Sequence, residues 1–244
     1  MMLSVMQPTF LPWLGYFDLI DYVDKFVFLD DVKLEKSSWQ VRNRIKTPQG
    51  EMMLSAPVLT PHGRMDTKIS ETLFKPGHPW RKKHLRSLHD NYRRSPFFDE
   101  FYPLLQTLYH HETHSLAEFN IVFISMICDV TGINTPKVKS SDLHDINGVK
   151  DERLVSLCDR LNCDQYLSPL GAMGYLEQYS PGGALAKNKI DLFYQQFEPL
   201  EYQQQSEGYI SHLSVIDVLF NLGSSGAMDM MRASRHQPLD SRNV

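Results

Sequence analysis

The densest run of side chains able to do chemistry lies between Asp30 and Lys46: Asp30 and Asp31, then Lys36, Arg42, Asn43, Arg44 and Lys46, with Trp39 set among them. Adjacent carboxylates can hold Mg²⁺ through their oxygens, or orient an amine or a ribose. They can equally be turn-forming acids that cap the next segment, and both readings stay open. Lysine and arginine bind phosphate or carboxylate, arginine through two parallel hydrogen bonds. Trp39 sets this stretch apart from a plain connection, because an exposed indole is costly and a buried one needs a partner for its N–H. Lys36–Lys46 is therefore read as a loop or short helix folded over the strand ends and facing a ligand. Asp30, Asp31, Lys36 and Arg42 are the candidate catalytic residues, and Trp39, Asn43 and Lys46 are candidate binding residues. No residue is assigned as a metal ligand.

A second group opens the chain: Gln7, Pro8, Thr9, Trp13, Gly15 and Tyr16. Thr9-Phe10-Leu11-Pro12-Trp13-Leu14-Gly15-Tyr16 resembles the loop of the HxGH-type nucleotidylyltransferases, in which a first strand runs into a Thr-Phe-x-Pro element and then a helix. In that loop imidazoles and the helix N-terminus hold nucleotide phosphates, since oriented N–H groups favour anions. Here the gap from proline to glycine is one residue shorter, no histidine precedes Gly15, and Tyr16 stands where the second histidine would be. The resemblance implies nucleotide anchorage by the Gln7–Tyr16 loop without imidazole assistance.

Further candidates lie just after predicted strands. Ser140-Ser141-Asp142 and Ser168-Pro169-Leu170-Gly171 could offer hydroxyls and backbone N–H groups to a phosphate, although N-caps use the same residues. Ser141, Ser168 and Gly171 join the binding set. Asp217 and Asn221 interrupt an apolar helix face; Asp217 is also taken as a binding residue, with a loop-fastening role as the alternative. The chain contains no Walker loop, nucleophile elbow or HExxH. Among the ten histidines none has a matched metal-ligand partner, and His212 is a possible general base. Arg81-Lys82-Lys83 with Arg86 reads as the solvated face of a helix.

These residues need a frame to position them. Met2–Met6 suits a buried strand, helical spacing of Tyr16, Leu19, Ile20 and Val23 predicts a helix from Gly15, and Phe26–Leu29 is a second strand. Strand, loop, helix, strand begins a parallel α/β sheet, whose ligands bind beyond the carboxyl ends of the strands. Glu51–Leu59 reads as a third strand, and His62–Gly77 as an irregular connection. Helices come next at Pro79–Tyr92, Phe97–Tyr109 and Ser115–Val130, the last with Ser115 and Glu118 as a capping box and Gly132 as its stop. Lys137–Lys139, Gln165–Leu167 and Ile190–Phe197 are strands, the last of them closing the sheet. Asp151–Leu161, Gly171–Tyr179 and Ser211–Leu222 are helical, and Gly223 ends the final helix. The expected fold is an open, mostly parallel α/β sheet with a nucleotidyltransferase-like N-terminal strand-loop-helix. It forms one domain over 1–232 with a helical insert at about 78–131, and 233–244 is a flexible polar tail.

Bulk properties narrow the function class. A length of 244 residues, 42% hydrophobic and 22% charged with a net charge of −4, supports a full core and gives no footprint for nucleic acid. The three cysteines lack CxxC spacing, so free buried thiols of a reducing cytosol are expected. The N-terminus lacks a basic leader region, and no run reaches the length of a membrane span. The expectation is a soluble cytoplasmic protein.

Taken together, the sequence is identified as a member of the WbqC-like protein family. The likeness rests on Gln7–Ile20, Phe26–Val32, Lys36 through Trp39 to Lys46, Leu116–Asn120, Tyr166–Ser168 and Leu213–Asn221. It implies a place in bacterial surface polysaccharide (O-antigen, lipopolysaccharide) biosynthesis, where some such proteins are described as glycine or acyl transferases that modify amino sugars. Mechanism is left to the residues. Amide formation between a small acid and an amino-sugar nucleotide needs an activated carboxylate. ATP with Mg²⁺ would supply one as an acyl adenylate, and a preformed thioester would do so with neither. In the first scheme the Gln7–Tyr16 loop holds the nucleotide, Asp30 or Asp31 holds Mg²⁺ or the amine, and the basic residues steady phosphates. The alternative is a non-catalytic protein that binds a sugar nucleotide or a partner enzyme of the same pathway.

Overall fold

The apolar run at the amino end does become a strand. In the computed structural model, which describes residues 1–35, 38–63, 66–178 and 180–244, β1 (Met2–Met6) lies inside a six-stranded sheet. A loop leads to α1 (Leu14–Tyr22) and β2 (Lys25–Phe28). Two small antiparallel pairs come next: β3 (Arg42–Thr47) with β4 (Gly50–Ser55), and β5 (Val58–Leu59) with β6 (Leu73–Phe74). Three helices follow, α2 (Trp80–Tyr92), α3 (Phe98–His110) and α4 (Leu116–Thr131). The chain then runs through β7 (Lys137–Lys139), α5 (Asp151–Arg160), β8 (Gln165–Ser168), α6 (Met173–Leu176) and α7 (Gly183–Lys187). It finishes with β9 (Asp191–Phe197), α8 (Val215–Ala233) and β10 (Arg235–Asp240).

The sheet order is β10-β9-β8-β1-β2-β7, with β10 antiparallel to β9 and the other pairs parallel. Strand alternation splits the core in two. Leu3, Val5, Val27, Tyr166 and Leu192 pack against α5 and α7 on one face. Phe26, Phe28 and Leu167 pack against α1, α4 and α8 on the other. After β1 the chain lays β2 and β7 on one side, then returns to put β8 and β9 on the other. The strand order therefore reverses between β1 and β8, and in such sheets a crevice opens at the carboxyl end of that junction. Gln7-Pro8 and Ser168-Pro169 flank it.

Local signals explain the helix ends. Ser115 Oγ accepts the Glu118 N–H at 3.3 Å, and Gly132 stops α4 at φ 75°. The Glu118 carboxylate goes to the Thr113 hydroxyl, which itself accepts the Ser115 N–H. At Gly223 (φ 72°, ψ −179°) α8 breaks and restarts, and a Cβ there would stand 2.7 Å from the Phe97 ring. The glycine thus ends the predicted Ser211–Leu222 helix, and a second helical stretch continues to Ala233.

Three expectations are corrected. Lys36–Lys46 is not a loop or short helix throughout, because Arg42 onward is strand β3. Glu51–Leu59 is not a third strand of the main sheet; it divides between β4 and β5, each in its own two-stranded pair. The stretch expected to fray carries β10 at the sheet edge, so β9 is not the last strand. Arg235 Nε fastens it to the buried Asp18 at 2.6 Å, and its Nη2 reaches Asp21. Among the described residues no helix is long and apolar enough to cross a membrane.

Candidate functional site

The loop after β1 is held by side-chain amides. Asn120, fully buried on α4, donates from Nδ2 to the carbonyls of Pro8 and Gln40, each at 2.9 Å. Gln40 donates to Gln7 Oε1, and the Phe10 N–H donates to the Trp39 carbonyl at 2.8 Å. Asn43 Nδ2 donates to the Leu11 and Phe10 carbonyls at 2.8 and 3.2 Å. Tyr16 OH donates to the Gln7 carbonyl at 3.1 Å. A buried amide that loses its partners costs about 1–3 kcal/mol, so these bonds fix the 38–43 segment against the Gln7–Leu11 loop. The structure therefore brings Gln7, Pro8, Tyr16, Trp39 and Asn43 together, with half-buried Thr9 inside the same loop.

Trp13 and Gly15 belong to an adjoining aromatic corner. A Cβ on Gly15 would lie 2.4 Å from the Trp13 ring, so only glycine lets the indole fold back over the first turn of α1. The same indole meets Phe197 edge-on, with centroids 5.4 Å apart, and His212 at 4.7 Å. With Trp13 folded over it, this helix start is not presented as the open phosphate cradle of the nucleotidylyltransferase loop. Beside it, Arg44 donates to the His212 carbonyl at 3.3 Å and to Glu51 at 2.7 Å. Its guanidinium also sits 5.6 Å from the centre of the half-exposed Trp39 ring. Burial and the neighbouring Arg44 cation lower the His212 pKa, keeping the imidazole neutral and able to accept a proton. Arg42 shares the Arg44 face of β3 by strand alternation. It makes no ion pair among the described residues, and its buried Nε has no partner.

Asp30 and Asp31 sit elsewhere on the rim, at the ends of β2 and β7. Asp30, 2% exposed, accepts the Ser141 N–H at 3.0 Å and the Ser141 hydroxyl at 2.7 Å. Asp31 accepts the Ser140 hydroxyl at 2.5 Å and is ion-paired to Arg153. Ser141 is thus a partner of Asp30. A divalent cation needs free carboxylate oxygens, and these are committed to hydroxyls, a backbone N–H and a guanidinium. The pair does not fit Mg²⁺. Among the described residues no group of three His, Cys, Asp or Glu is placed to hold a metal ion.

Lys46 and Asp217 form a third, internal knot. Lys46, 1% exposed, donates to Gln204 Oε1 at 3.0 Å and to the carbonyls of Glu207 and Gly208. Asp217 accepts the hydroxyls of Tyr92 and Tyr202, both at 2.7 Å, and Gln204 Nε2 at 3.0 Å. Burial raises its pKa, against the pull of those donors and of Lys46. Both side chains tie the 202–210 loop to β3 and α8, with no donor or acceptor left for a ligand. Ser168 is buried with its hydroxyl on its own Pro169 carbonyl, while Gly171 is exposed. Lys36 lies outside the described residues.

The rim thus offers an exposed indole carrying a guanidinium, a second arginine without an ion partner, and a neutral imidazole. Such a set can stack on a planar ring, pair with an anion and take up a proton. The thiols are held protonated by burial, which pushes Cys128 and Cys158 up to about 11 and about 12 and raises Cys163 as well. Sequence reasoning passed over the amides of Gln40 and Asn120 and named His212 only as a possible general base. Gln40 stood inside the stretch already singled out, and Asn120 was visible as a polar residue on the otherwise apolar face of α4. His212 gains its place only through Trp13 and Arg44, distant neighbours that spacing does not reveal.

Residues 7–228 match the WbqC-like protein family. Over 234 residues the chain is 35% identical to "Uncharacterized protein Rv1507c" of Mycobacterium tuberculosis, covering 95% of this chain and 98% of that protein. No solved structure matches the chain significantly. On the span of the family match, the chain belongs to the WbqC-like protein family.

Proposed function

We propose that the rim beside the β1–β8 junction binds an amino-sugar nucleotide and that the chain transfers a small acyl group, such as glycyl, to the sugar amine in bacterial surface polysaccharide biosynthesis. The observation that carries this reading is the half-exposed Trp39 indole with Arg44 against it, held on the Gln7–Leu11 loop beside the His212 imidazole. Exposed aromatic faces bind planar rings by stacking, and Arg42 supplies charge for a phosphate. Of the two activation routes, a preformed thioester suits the site better, because the Asp30–Asp31 oxygens already have partners. In that route the sugar amine attacks the thioester carbonyl, the C–N bond forms and the C–S bond breaks. His212 takes the proton from the amine and returns it to the departing thiolate.

The test is incubation with a uridine-diphosphate amino sugar and an acyl-coenzyme A, following free thiol and the mass of the sugar nucleotide. Coupled thiol release and acyl mass gain support transfer. Exchange of pyrophosphate into ATP that depends on glycine would return the adenylate route. The second reading, a binding protein without turnover, draws on the same locked carboxylates and raised thiols, which leave His212 as the candidate proton acceptor among the described residues of the rim. It predicts saturable sugar-nucleotide binding with no product from either donor. Alanine at Arg42 would then lower affinity in step with its contacts, whereas an enzyme loses more turnover than binding when a transition-state contact is removed.

A further inference from the structure

A cavity of about 950 Å³ lies between α2, the 75–79 segment and the turn after α3, away from the rim. Its walls carry four permanent cations, Lys75, Arg81, Lys82 and Arg86, and five histidines, against a single lining carboxylate, Glu112. Lys75 and Lys82 are exposed and make no ion pair among the described residues. Arg81 is fixed in place: it donates to the Tyr109 and Thr113 carbonyls at 3.2 and 2.7 Å, and its guanidinium lies 4.8 Å from the centre of the Trp80 ring. It has no carboxylate partner either. Arg86 is already paired with the exposed Asp90 at 3.5 Å; the remaining like charge of Lys75, Arg81 and Lys82, converging on one concavity, favours an entering anion. The start of α2 adds to the field. It has no side-chain cap and no acid in its first turn, while Arg81, Lys82 and Lys83 stand where the helix dipole disfavours cations. Leu85 and Tyr102 give the same cavity an apolar wall.

We propose that this cavity is a second binding site, for a small ligand bearing a diphosphate, such as a nucleoside diphosphate. The phosphates lie among Lys75, Arg81, Lys82 and Arg86, and the ring system rests toward Leu85 and Tyr102. The volume is that of a small-molecule site. The cations close on a concavity instead of forming the stripe that follows a nucleic-acid backbone. The site is separate from the rim: Trp80 packs on Phe10 and Phe119, with centroids 6.1 and 5.5 Å apart, and these rings stand between the cavity and the β1 loop. It stands or falls independently of the acyl-transfer reading.

The experiment is calorimetric titration of the full chain with inorganic pyrophosphate and, separately, with uridine diphosphate. Saturable single-site binding of pyrophosphate is expected, whereas uridine diphosphate should bind both this cavity and the rim, the rim component being the one that Trp39→Ala removes. Lys82→Glu should weaken pyrophosphate binding roughly tenfold or more, since a phosphate contact is removed and a charge that repels the anion is added. Lys83→Glu makes the same charge change in the same turn but lies outside the lining, and should weaken binding by less than about threefold. Both side chains are exposed, and Lys75→Glu is a second lining variant should Lys82→Glu fail to fold. Trp39→Ala should leave pyrophosphate binding unchanged. No saturable binding overturns the proposal, as does equal weakening by Lys82→Glu and Lys83→Glu. Loss through Trp39→Ala with no effect of Lys82→Glu would move the ligand to the rim and also overturn it.

Discussion

Replacing Lys46 by methionine separates a structural lysine from a ligand-binding one. The flexible stem of methionine keeps much of the apolar packing and removes the ammonium. In the folded chain that ammonium satisfies Gln204 Oε1 and the carbonyls of Glu207 and Gly208, with the Asp217 carboxylate in the same knot. The two carbonyls belong to exposed residues and can turn to water, and Gln204 Oε1 still accepts the Ile210 N–H at 3.0 Å. The main loss is the ammonium's hydrogen bonds to Gln204 Oε1 and the two carbonyls, with a weaker through-space attraction for the buried Asp217 carboxylate. Hydrogen bonds to a charged group contribute about 1.5–3 kcal/mol, and since the carbonyls can turn to water the total loss is about 3 kcal/mol.

For a chain of this size each kcal/mol lowers the melting temperature by about 2–4 °C, so Lys46→Met should melt about 6–12 °C below the parent. Urea denaturation should show a lower midpoint with an unchanged slope. A cycle with Asp217→Asn should show coupling of about 1 kcal/mol or more. Sugar-nucleotide affinity of the folded variant should stay within about twofold, well under the tenfold that 1.4 kcal/mol represents. A variant of near-parental stability that no longer binds the nucleotide would refute this reasoning and return Lys46 to the ligand set.

Other consequences are as direct. His84 is buried with its pKa lowered to about 4, against 6.5 when free. Between those values the unfolded chain takes up a proton that the folded chain refuses, so stability is complete above about pH 6.5 and falls on acidification toward pH 4, by on the order of 3 kcal/mol; His84→Gln should flatten that slope in denaturant melts at stepped pH. Gly15→Ala drives a methyl into the Trp13 ring, and should cost about 1–3 kcal/mol while changing the tryptophan near-ultraviolet circular dichroism; an unaltered spectrum would contradict the packing. Arg235→Met leaves Asp18 buried without its cation, a loss of about 3–5 kcal/mol, measurable by urea denaturation at neutral pH. Millimolar Mg²⁺ alone should not raise the melting temperature, because a cation that bound the Asp30–Asp31 pair of the folded chain would do so.

The parallel frame was legible where local pattern and tertiary role coincide. Met2–Met6 and Phe26–Leu29 are apolar runs because both faces of the sheet are covered, and Ser115 and Gly132 bracket α4 by cap chemistry alone. The β3 strand was hidden because Arg42-Asn43-Arg44-Ile45-Lys46 looks solvated. Asn43 and Lys46 are nonetheless buried, since their partners come from the β1 loop and from residues around 204–208. The β10 strand, Arg-His-Gln-Pro-Leu-Asp, has no apolar run and contains a proline, tolerable at a sheet edge; it forms because β9 offers an open edge and Arg235 finds Asp18 and Asp21. At the candidate site, the density of polar and aromatic groups in the Gln7–Tyr16 and Trp39–Lys46 stretches could be read from residue types. Which of their polar groups face inward could not, because that depends on contacts more than a hundred residues apart, such as Asn120 with Pro8 and Ser140 with Asp31.

The most direct measurement is steady-state kinetics of acyl transfer to a uridine-diphosphate amino sugar by the parent, Trp39→Ala and His212→Gln. If the rim is the active site, Trp39→Ala raises KM for the sugar nucleotide with kcat little changed, since stacking is lost equally from ground and transition states. His212→Gln lowers kcat about 10²–10⁴-fold with KM nearly constant, as loss of a general base does. Parental kcat and KM in both variants would contradict the account and place the chemistry away from the β1–β8 junction.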